Sequence, residues 1–586
     1  MADQTSYYIG IDVGTGSARA CIIDNNGDIV GLASEDIRTW TPQHNHYEQS
    51  TSNIWQCICS AVRRALDEQK ISPALVRGMG FDATCSLCVF SSESDEPISV
   101  TGCKFDSDRN VILWLDHRAT SETEKINATG HPVLRYVGGR MSVEMEMPKI
   151  LWLKNHMPAD VFARCKFYDL ADALTHIATG GDTRSFCSMV CKQGYLPMGV
   201  EGSDKGWSEE FLQSIGLGDL CDRSFDKIGG INGKSGRHLN AGEFVGTLSE
   251  KAASQLGLHP GVAIGSGVID AYAGWIGTVG AKVDVEQGLS GTDPESTKNG
   301  WTPAFTRLAA VAGTSTCHIA MSPDPVFVPG VWGPYRDVIL PGRWMAEGGQ
   351  TATGQLLKHV LESHPAFNQA SALAKEQDLN IFQFLNSRLE QVAAESDSPS
   401  VSFLARHFFF YGDLFGNRSP LADTEMKGAI VGLSSDTSVD SLAIHYYGTL
   451  EFIALQTKQI VETMNRSGHR ISSIFMSGSQ CQNSILVGLI ASACNMPVVL
   501  PQYIHAAVCH GAAMLGVKAA SARTGKELDL WEVIDQMSKP GTTFYPTQNE
   551  RERALLAAKY EIFLNQCSRQ REYRALVDTA LAQTPS

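Results

Sequence analysis

Residues 7–13, YYIGIDV, alternate in side-chain character and are rich in Tyr, Ile and Val, which is a strand pattern. A glycine turn follows, Gly14-Thr15-Gly16-Ser17, and apolar character resumes from Ala18 to Ile23. Asn25-Asn26-Gly27-Asp28 is a strong hairpin turn, and Ile29-Val30-Gly31 continues beyond it. The glycine loop therefore joins two antiparallel strands and does not open a helix, as a Rossmann or Walker loop would. No GK[ST] follows it. Any anion is left to the loop's own amides.

Helical periodicity covers 52–69, with Ser52 as the expected N-cap. VRGMGFDATCSL, 76–87, reads as a buried strand and its exit loop. Residues 130–156 read as a loop followed by a helix, and 166–180 as a helix ending at Gly180. AAVAGTSTCHIAM, 309–321, repeats the pattern of apolar strand, Gly-Thr-Ser turn and apolar strand found at the start of the chain. Two such units, one early in each half, suggest a duplicated domain around one nucleotide. The expected boundary lies near 265–275, giving domains 1–270 and 271–586. The polar stretch 284–306 reads as a loop or insertion. Further on, 445–465 is a helix, and 471–501 is strand, Gly478-Ser479 turn, helix, strand. Residues 506–520 form a small-residue helix suited to close packing, and 521–586 read as helices and a polar tail.

Composition narrows the class. The chain has 586 residues, 43% hydrophobic and 19% charged, which is the make-up of a globular protein long enough for two cores with a cleft between them. A net charge of −15 without a long basic run argues against nucleic-acid or anionic-membrane partners. MADQTSYYIGID enters a strand directly, so no secretory signal is read, and no apolar run approaches the ~20 residues of a membrane helix. Fifteen cysteines, an odd number, several of them in apolar segments, fit a reducing cytoplasm better than a disulfide framework. Cys85 and Cys88 form a lone CxxC without a second ligand pair, which favours packing or substrate contact over metal or redox chemistry.

Transfer of a phosphoryl group to an alcohol needs a held triphosphate, a divalent cation and a base for the hydroxyl proton. Asp12 stands two residues before the glycine turn. It either caps that turn or faces phosphate through Mg²⁺, with Thr15, Gly16, Ser17 and Arg19 gripping phosphate oxygens. Asp270, in GSGVIDAYAGWIG, is either a helix N-cap or the base. Trp114, Asp116 and Arg118, in ILWLDHRA, are either a sugar-binding mixture of aromatic plate and polar groups, or a surface ion pair beside an aromatic.

Taken together, these segments resemble the FGGY carbohydrate kinases over about residues 7–520. GIDVGTGSAR is similar to the family's first phosphate motif, AGTSTCH to its second, and ILWLDHRA to its sugar-contacting segment. VIDAYAG resembles the segment of the catalytic aspartate. FYGDLFGNRSPLADTEMKGAIVGL, 410–433, resembles the family signature, MSGSQCQN the adenosine motif and HGAAMLG its partner helix. DATCSLC resembles the TCSLV signature of the D-ribulokinase subgroup and departs at its last position, Cys88; GGRMSVEMEMPKILWLK is also similar to that subgroup. The resemblance implies an α/β protein of two actin-like (ribonuclease H-like) ATPase domains with an interdomain cleft. It implies ATP-dependent phosphorylation of D-ribulose at O5 to D-ribulose 5-phosphate, with ATP and Mg²⁺. Carried over, Asp12 organises the metal, and Gly14, Thr15, Gly16, Ser17 and Arg19 bind phosphate with Gly313 and Thr314. Gly478, Ser479 and Asn483 line the adenosine pocket, Ser479 standing where the family usually has glycine. Asp270 is the base. Thr84, Cys85, Ser86, Trp114, Asp116, Arg118 and Asp270 meet the sugar. Gly348, Gly349, Gln350 and Thr353 lie in a segment expected near the cleft and receive no role.

Two other readings stay open. One is a kinase for L-ribulose, D-xylulose or ribitol, because a single misplaced hydroxyl decides such specificity. The other is a non-catalytic, actin-like nucleotide-dependent regulator, which would be free to lose Asp12 or Asp270; both are present. A homodimer is also left open.

Overall fold

The computed structural model describes residues 6–101, 107–283 and 300–583. Most of the 284–306 stretch lies outside the described residues; its end forms a short 3₁₀ turn, Thr302–Thr306.

The first large sheet is built from β1 (Tyr7–Val13), β2 (Ser17–Ile23), β3 (Ile29–Asp36), β4 (Val76–Ala83), β5 (Phe244–Thr247) and β6 (Ala263–Gly265), in the order β5-β6-β4-β1-β2-β3. A two-residue strand, β7 (Val268–Ile269), joins β4 at its end. The second sheet contains β8 (Arg307–Ala312), β9 (Thr316–Ser322), β10 (Trp332–Arg336), β11 (Trp344–Gln350), β12 (Ser473–Ser477), β13 (Val498–Leu500) and β14 (Thr542–Phe544), in the order β10-β11-β9-β8-β12-β13-β14.

The two sheets repeat one design. β1 and β2 are antiparallel, β2 and β3 antiparallel, β1 and β4 parallel, β4 and β6 parallel, β6 and β5 antiparallel. β8, β9, β11, β12, β13 and β14 reproduce each of these relations in turn. The echo between the Gly-Thr turns thus extends to a whole sheet. In both, a three-residue loop at 14–16 or 313–315 connects the central strand to its antiparallel neighbour.

A smaller four-stranded sheet in the first half orders Glu48–Gln49, Val111–Ile112, Leu87–Ser91 and Cys165–Asp169. It holds the loops that carry Cys85 and Trp114.

Several expectations need correction. The first helix is Thr51–Glu68 and its N-cap is Ser50, whose side chain accepts from Asn53 N–H, not Ser52. The 166–180 stretch begins as strand Cys165–Asp169, because Phe167 and Tyr168 pair with Val89 and Cys88; helix Leu170–Thr179 follows and ends at left-handed Gly180. The 445–465 helix is longer, Val439–Ser467. The polar tail is a helix, Glu550–Ala582, preceded by helix Leu530–Met537 and by β14, which extends the second sheet.

The small-residue helix Ala507–Ser521 comes late in the chain but packs on β1, β4 and β6 of the first sheet. Helix Asp270–Val279 lies between it and β8 of the second. At its glycines the seam leaves no room for a Cβ. A Cβ on Gly10 would sit 2.0 Å from the Cys509 carbonyl, one on Gly277 1.9 Å from the Ala507 carbonyl, and one on Gly511 2.1 Å from the Ala273 carbonyl. Gly511→Ala gains about 1 kcal/mol of helix propensity. Forcing backbones apart costs about 1–3 kcal/mol or more. The expected result is net destabilisation, read as a lower urea midpoint with an unchanged m-value.

Candidate active site

The first loop is a tight hairpin closed by Gly14 N–H donating to the Ser17 carbonyl at 3.0 Å. Asp12 does not cap it. Its carboxylate is buried and pairs with Arg19 at 2.7 Å. Thr15 and Gly16 are exposed at the tip, while Gly14 and Ser17 are half-buried. Trp114 Nε1–H donates to Thr15 Oγ1 at 3.1 Å, which ties the expected sugar loop to the phosphate loop.

Asp82 was not singled out in the sequence, yet it stands beside Asp12. The two are register partners on parallel strands β1 and β4, so their side chains leave the same face of the sheet. Asp82 is fully buried, and neither of its carboxylate oxygens has a hydrogen-bond partner. Burial pushes Asp82 well above the usual carboxylate range, helped by the charges of Asp12 and Asp270. Burial also raises Asp12, against the pull of Arg19. Two buried carboxylates side by side, with only Arg19 on Asp12 to offset them, are the donor set that a hard cation relieves. The residues therefore fit Mg²⁺ held jointly with phosphate oxygens and water. Among the described residues no group of three or more His, Cys, Asp or Glu is disposed to hold a metal on its own.

Asp270 is the first residue of helix Asp270–Val279; Ile269 takes the N-cap position. The carboxylate accepts from Ala271 N–H at 2.7 Å. Loss of water around it and the nearby negative charge of Asp12 raise its pKa to about 7, against the Ala271 hydrogen bond and Lys192, which lower it. That is the range in which a carboxylate exchanges protons at neutral pH.

Beyond Asp270 lies a buried charge network joining both halves of the chain. Arg418 Nη2 donates to Glu347 Oε1 at 2.9 Å, Lys192 Nζ lies 3.4 Å from Glu347 Oε2, and Tyr272 OH donates to the same oxygen at 3.3 Å. Both cations pack on the Trp332 ring, at 4.0 and 4.4 Å from its centroid. Burial pulls the Lys192 pKa down, but Glu347 together with Cys85, Tyr335 and Cys191 outweighs it and raises it. Arg418 Nε is buried without a partner. The sequence had flagged none of these three charged residues. A lysine closing the apolar run SFCSMVCK and a glutamate before Gly348-Gly349 are signals visible only in hindsight.

The expected sugar residues divide. Cys85 is half-buried, within the field of Lys192 and Asp270, and burial raises its thiol so that it stays neutral. Thr84 and Ser86 are buried, their hydroxyls 3.1 Å apart. Cys88 is buried in strand Leu87–Ser91. Asp116 and Arg118 form neither a surface pair nor an open polar edge. Both side chains are fully buried, with Arg118 Nε donating to Asp116 Oδ1 at 2.9 Å and Nη2 to Asp116 Oδ2 at 2.7 Å and Glu48 Oε1 at 3.0 Å. Tyr47 N–H also donates to Asp116 Oδ2, at 2.6 Å. Their bonding capacity is spent on the scaffold behind Trp114.

The second loop borders a cavity of about 1040 Å³ lined by Gly313, Thr314, Ser479 and Asn483, together with Gly354 and Gln355. Gln480 Nε2 donates to the Gly313 carbonyl and to Thr353 Oγ1, each at 2.6 Å, and Thr353 N–H donates to the Thr314 carbonyl, so the loop is clamped. Gly478 has φ +100° and a Cβ there would lie 2.2 Å from the Ala312 carbonyl, which only glycine avoids. Ser479 is exposed on the cavity wall. Gly349 packs on Arg418, and Gln350 donates to the Ile453 carbonyl, so both serve packing.

The FGGY carbohydrate kinase N-terminal domain matches residues 7–277 and the C-terminal domain of the same family residues 308–520. The chain belongs to the FGGY family of carbohydrate kinases. A Saccharomyces cerevisiae protein named D-ribulokinase is 51% identical over 518 residues, 88% of this chain and 72% of that protein. A human FGGY carbohydrate kinase domain-containing protein is 40% identical over 574 residues, 98% of each chain. Among solved structures, xylulose kinase from Rhodospirillum rubrum aligns with a TM-score of 0.71 at 17% identity, covering 97% of this chain and 99% of that one, and so shares the two-domain actin-like fold. No helix among the described residues is long and apolar enough to cross a membrane.

Proposed function

We propose that this FGGY kinase transfers the γ-phosphoryl group of ATP to O5 of D-ribulose, giving D-ribulose 5-phosphate and ADP in the cytoplasm. The observation that carries the reading is the position of Asp270. It stands within the electrostatic reach of Asp12 on one side and of Lys192 and Glu347 on the other, with its pKa raised to about 7. The D-ribulokinase name of the 51% identical yeast relative supports the choice of sugar.

In this mechanism Asp270 accepts the O5 proton as the oxygen bonds to phosphorus and the bond to the ADP oxygen breaks. Asp270 leaves as the carboxylic acid and returns its proton to solvent. Lys192, Glu347 and Arg418 orient the hydroxyls from a dry pocket, and Cys85 and Trp114 form its walls. The amides of 14–16 and 313–315 hold phosphate oxygens, with Arg19 released from Asp12 to assist. A divalent cation beside Asp12 and Asp82, when bound, offsets the charge of the triphosphate. The lobes built on the two large sheets close around both substrates and exclude water, which suppresses ATP hydrolysis.

The test is ADP release with Mg-ATP against D-ribulose, L-ribulose, D-xylulose, ribitol, erythritol and glycerol. Selective turnover of D-ribulose is expected, with its kcat/KM at least about 10²-fold above its enantiomer L-ribulose and its epimer D-xylulose, since a misplaced hydroxyl leaves buried polar groups unpaired. Preference for another member keeps the mechanism and overturns the substrate. No sugar-stimulated turnover favours the regulator reading.

A further inference from the structure

The turn that leads into helix Glu146–His156 carries Glu144. Glu144 N–H donates to Ser142 Oγ at 3.2 Å and Met145 N–H to the Ser142 carbonyl at 3.1 Å, which fixes the backbone of the turn. Lys149, fully buried in the first turn of the helix, donates from Nζ to the Leu113 carbonyl at 2.6 Å and to the Trp114 and Glu144 carbonyls at 3.2 Å each. One ammonium thus spends its three donors on backbone and ties the Glu144 turn to the pocket wall that carries Trp114. Among the described residues the hydrogen bonds of Glu144 are those of its backbone. Its half-buried carboxylate makes none.

Arg418 comes from the other half of the chain. Its Nη2 goes to Glu347 and its face to the Trp332 ring, while Nη1 has no hydrogen-bond partner among the described residues. Burial pulls the Arg418 pKa down, and Glu144 is the strongest of the charges that hold it up, ahead of Cys317, Glu347 and Cys85. Glu144 also reaches the Cys85 thiol, as Lys192 and Asp270 do. Yet the ion pair of Arg418 is with Glu347 and not with Glu144, so a gap separates the two. Glu347 joins Lys192, which Asp270 feels, to Arg418. Glu144 therefore stands at the end of this network away from the base.

Closing D-ribulose into a furanose ring consumes O5, so transfer to O5 requires the open-chain ketone. With O5 at Asp270, the other end of the sugar offers a C1 hydroxyl beside a C2 carbonyl. The carbonyl oxygen only accepts, and the hydroxyl is left to donate. A carboxylate only accepts and a guanidinium only donates, which is the complementary pair. We propose that Glu144 determines specificity at this end of the substrate, its carboxylate accepting from the C1 hydroxyl while Arg418 Nη1 donates to the C2 carbonyl.

This inference rests on the D-ribulokinase reading. Its test is kcat/KM, with saturating Mg-ATP, for D-ribulose and for 1-deoxy-D-ribulose, which has a methyl group in place of the C1 hydroxymethyl. The wild type, Glu144→Gln and Glu144→Ala are compared, and ADP affinity is measured for each by calorimetry. The wild type is expected to favour D-ribulose about 10- to 10²-fold, the worth of one hydrogen bond to a charged group. Glu144→Ala should bring the ratio to within about threefold of one by lowering the D-ribulose value alone. Glu144→Gln keeps an acceptor oxygen and should retain part of the ratio. ADP affinity should be the same in all three. Equal turnover of both sugars by the wild type overturns the assignment and leaves the kinase reading standing. So does a Glu144→Ala variant that lowers both sugars alike, which would make Glu144 a charge partner of Arg418 and no more. A wild type that turns over neither sugar overturns the D-ribulose reading, and this assignment with it.

Discussion

Asp270→Asn is expected to lower kcat by about 10²–10⁴-fold, the usual contribution of a positioned general base. ADP affinity should change by less than about threefold, a fraction of the ~1.4 kcal/mol that a tenfold change represents. Asparagine keeps the shape and the acceptor for Ala271 N–H, so helix Asp270–Val279 keeps its first turn. What it loses is the capacity to take a proton. The thermal midpoint should hold or rise, because the substitution removes a carboxylate that is crowded by Asp12. In the wild type the pH dependence has a definite sign. Asp270 is useful only as the carboxylate, and its pKa is raised to about 7. The kcat/KM for the sugar should therefore fall as pH drops below about 7, with unit slope, and level off above it. In Asp270→Asn that limb should vanish with the activity. A loss of ADP affinity as large as the loss of rate would remove Asp270 from the role of base.

Arg118→Met is expected to cost about 3–5 kcal/mol of stability, the range for removing one partner of a buried ion pair. The resemblance assigns Arg118 to the sugar, and the fold gives it a different task. Its guanidinium spans Asp116 and Glu48, donates to the Val100 carbonyl through Nη1, and packs on Trp152 at 5.0 Å. Without it, Asp116 keeps only backbone donors, and Glu48 keeps the Thr101 hydroxyl and Arg109 at 3.5 Å, so the two buried carboxylates lose the cation that bridges them. Lysine should rescue only partly, since a point charge cannot reproduce the fork that Asp116 accepts. Urea denaturation measures the effect. If Arg118 acts by direct sugar contact instead, the variant unfolds like the wild type and its KM for the sugar rises with kcat little changed.

How far the chain is legible depends on the range of the interaction. The Gly-Thr hairpins at 14–16 and 313–315 declare themselves because turn chemistry is local, a matter of glycine and of apolar runs on either side. Asp12 and Asp270 stand out for the same reason, each beside a glycine-rich or small-residue stretch. The duplication was visible as one short echo, since six strands of a sheet share a path without sharing side chains. KFYD reads as helix from its helical neighbours, and only pairing with Leu87–Ser91 makes it a strand.

The sequence by itself determined the family's order of motifs, the two phosphate hairpins and the candidate base. The tertiary structure alone decided which groups share a site. Asp82 meets Asp12 across a register seventy residues apart in the chain. Lys192, Glu347 and Arg418 meet only because the two halves pack together. Asp116 and Arg118 leave the expected sugar face because Glu48, on a different strand, completes their charge balance. Local propensity records what a residue prefers from its neighbours in sequence. The partner of a buried charge is set by which strands and helices come together, and burial makes that partner obligatory.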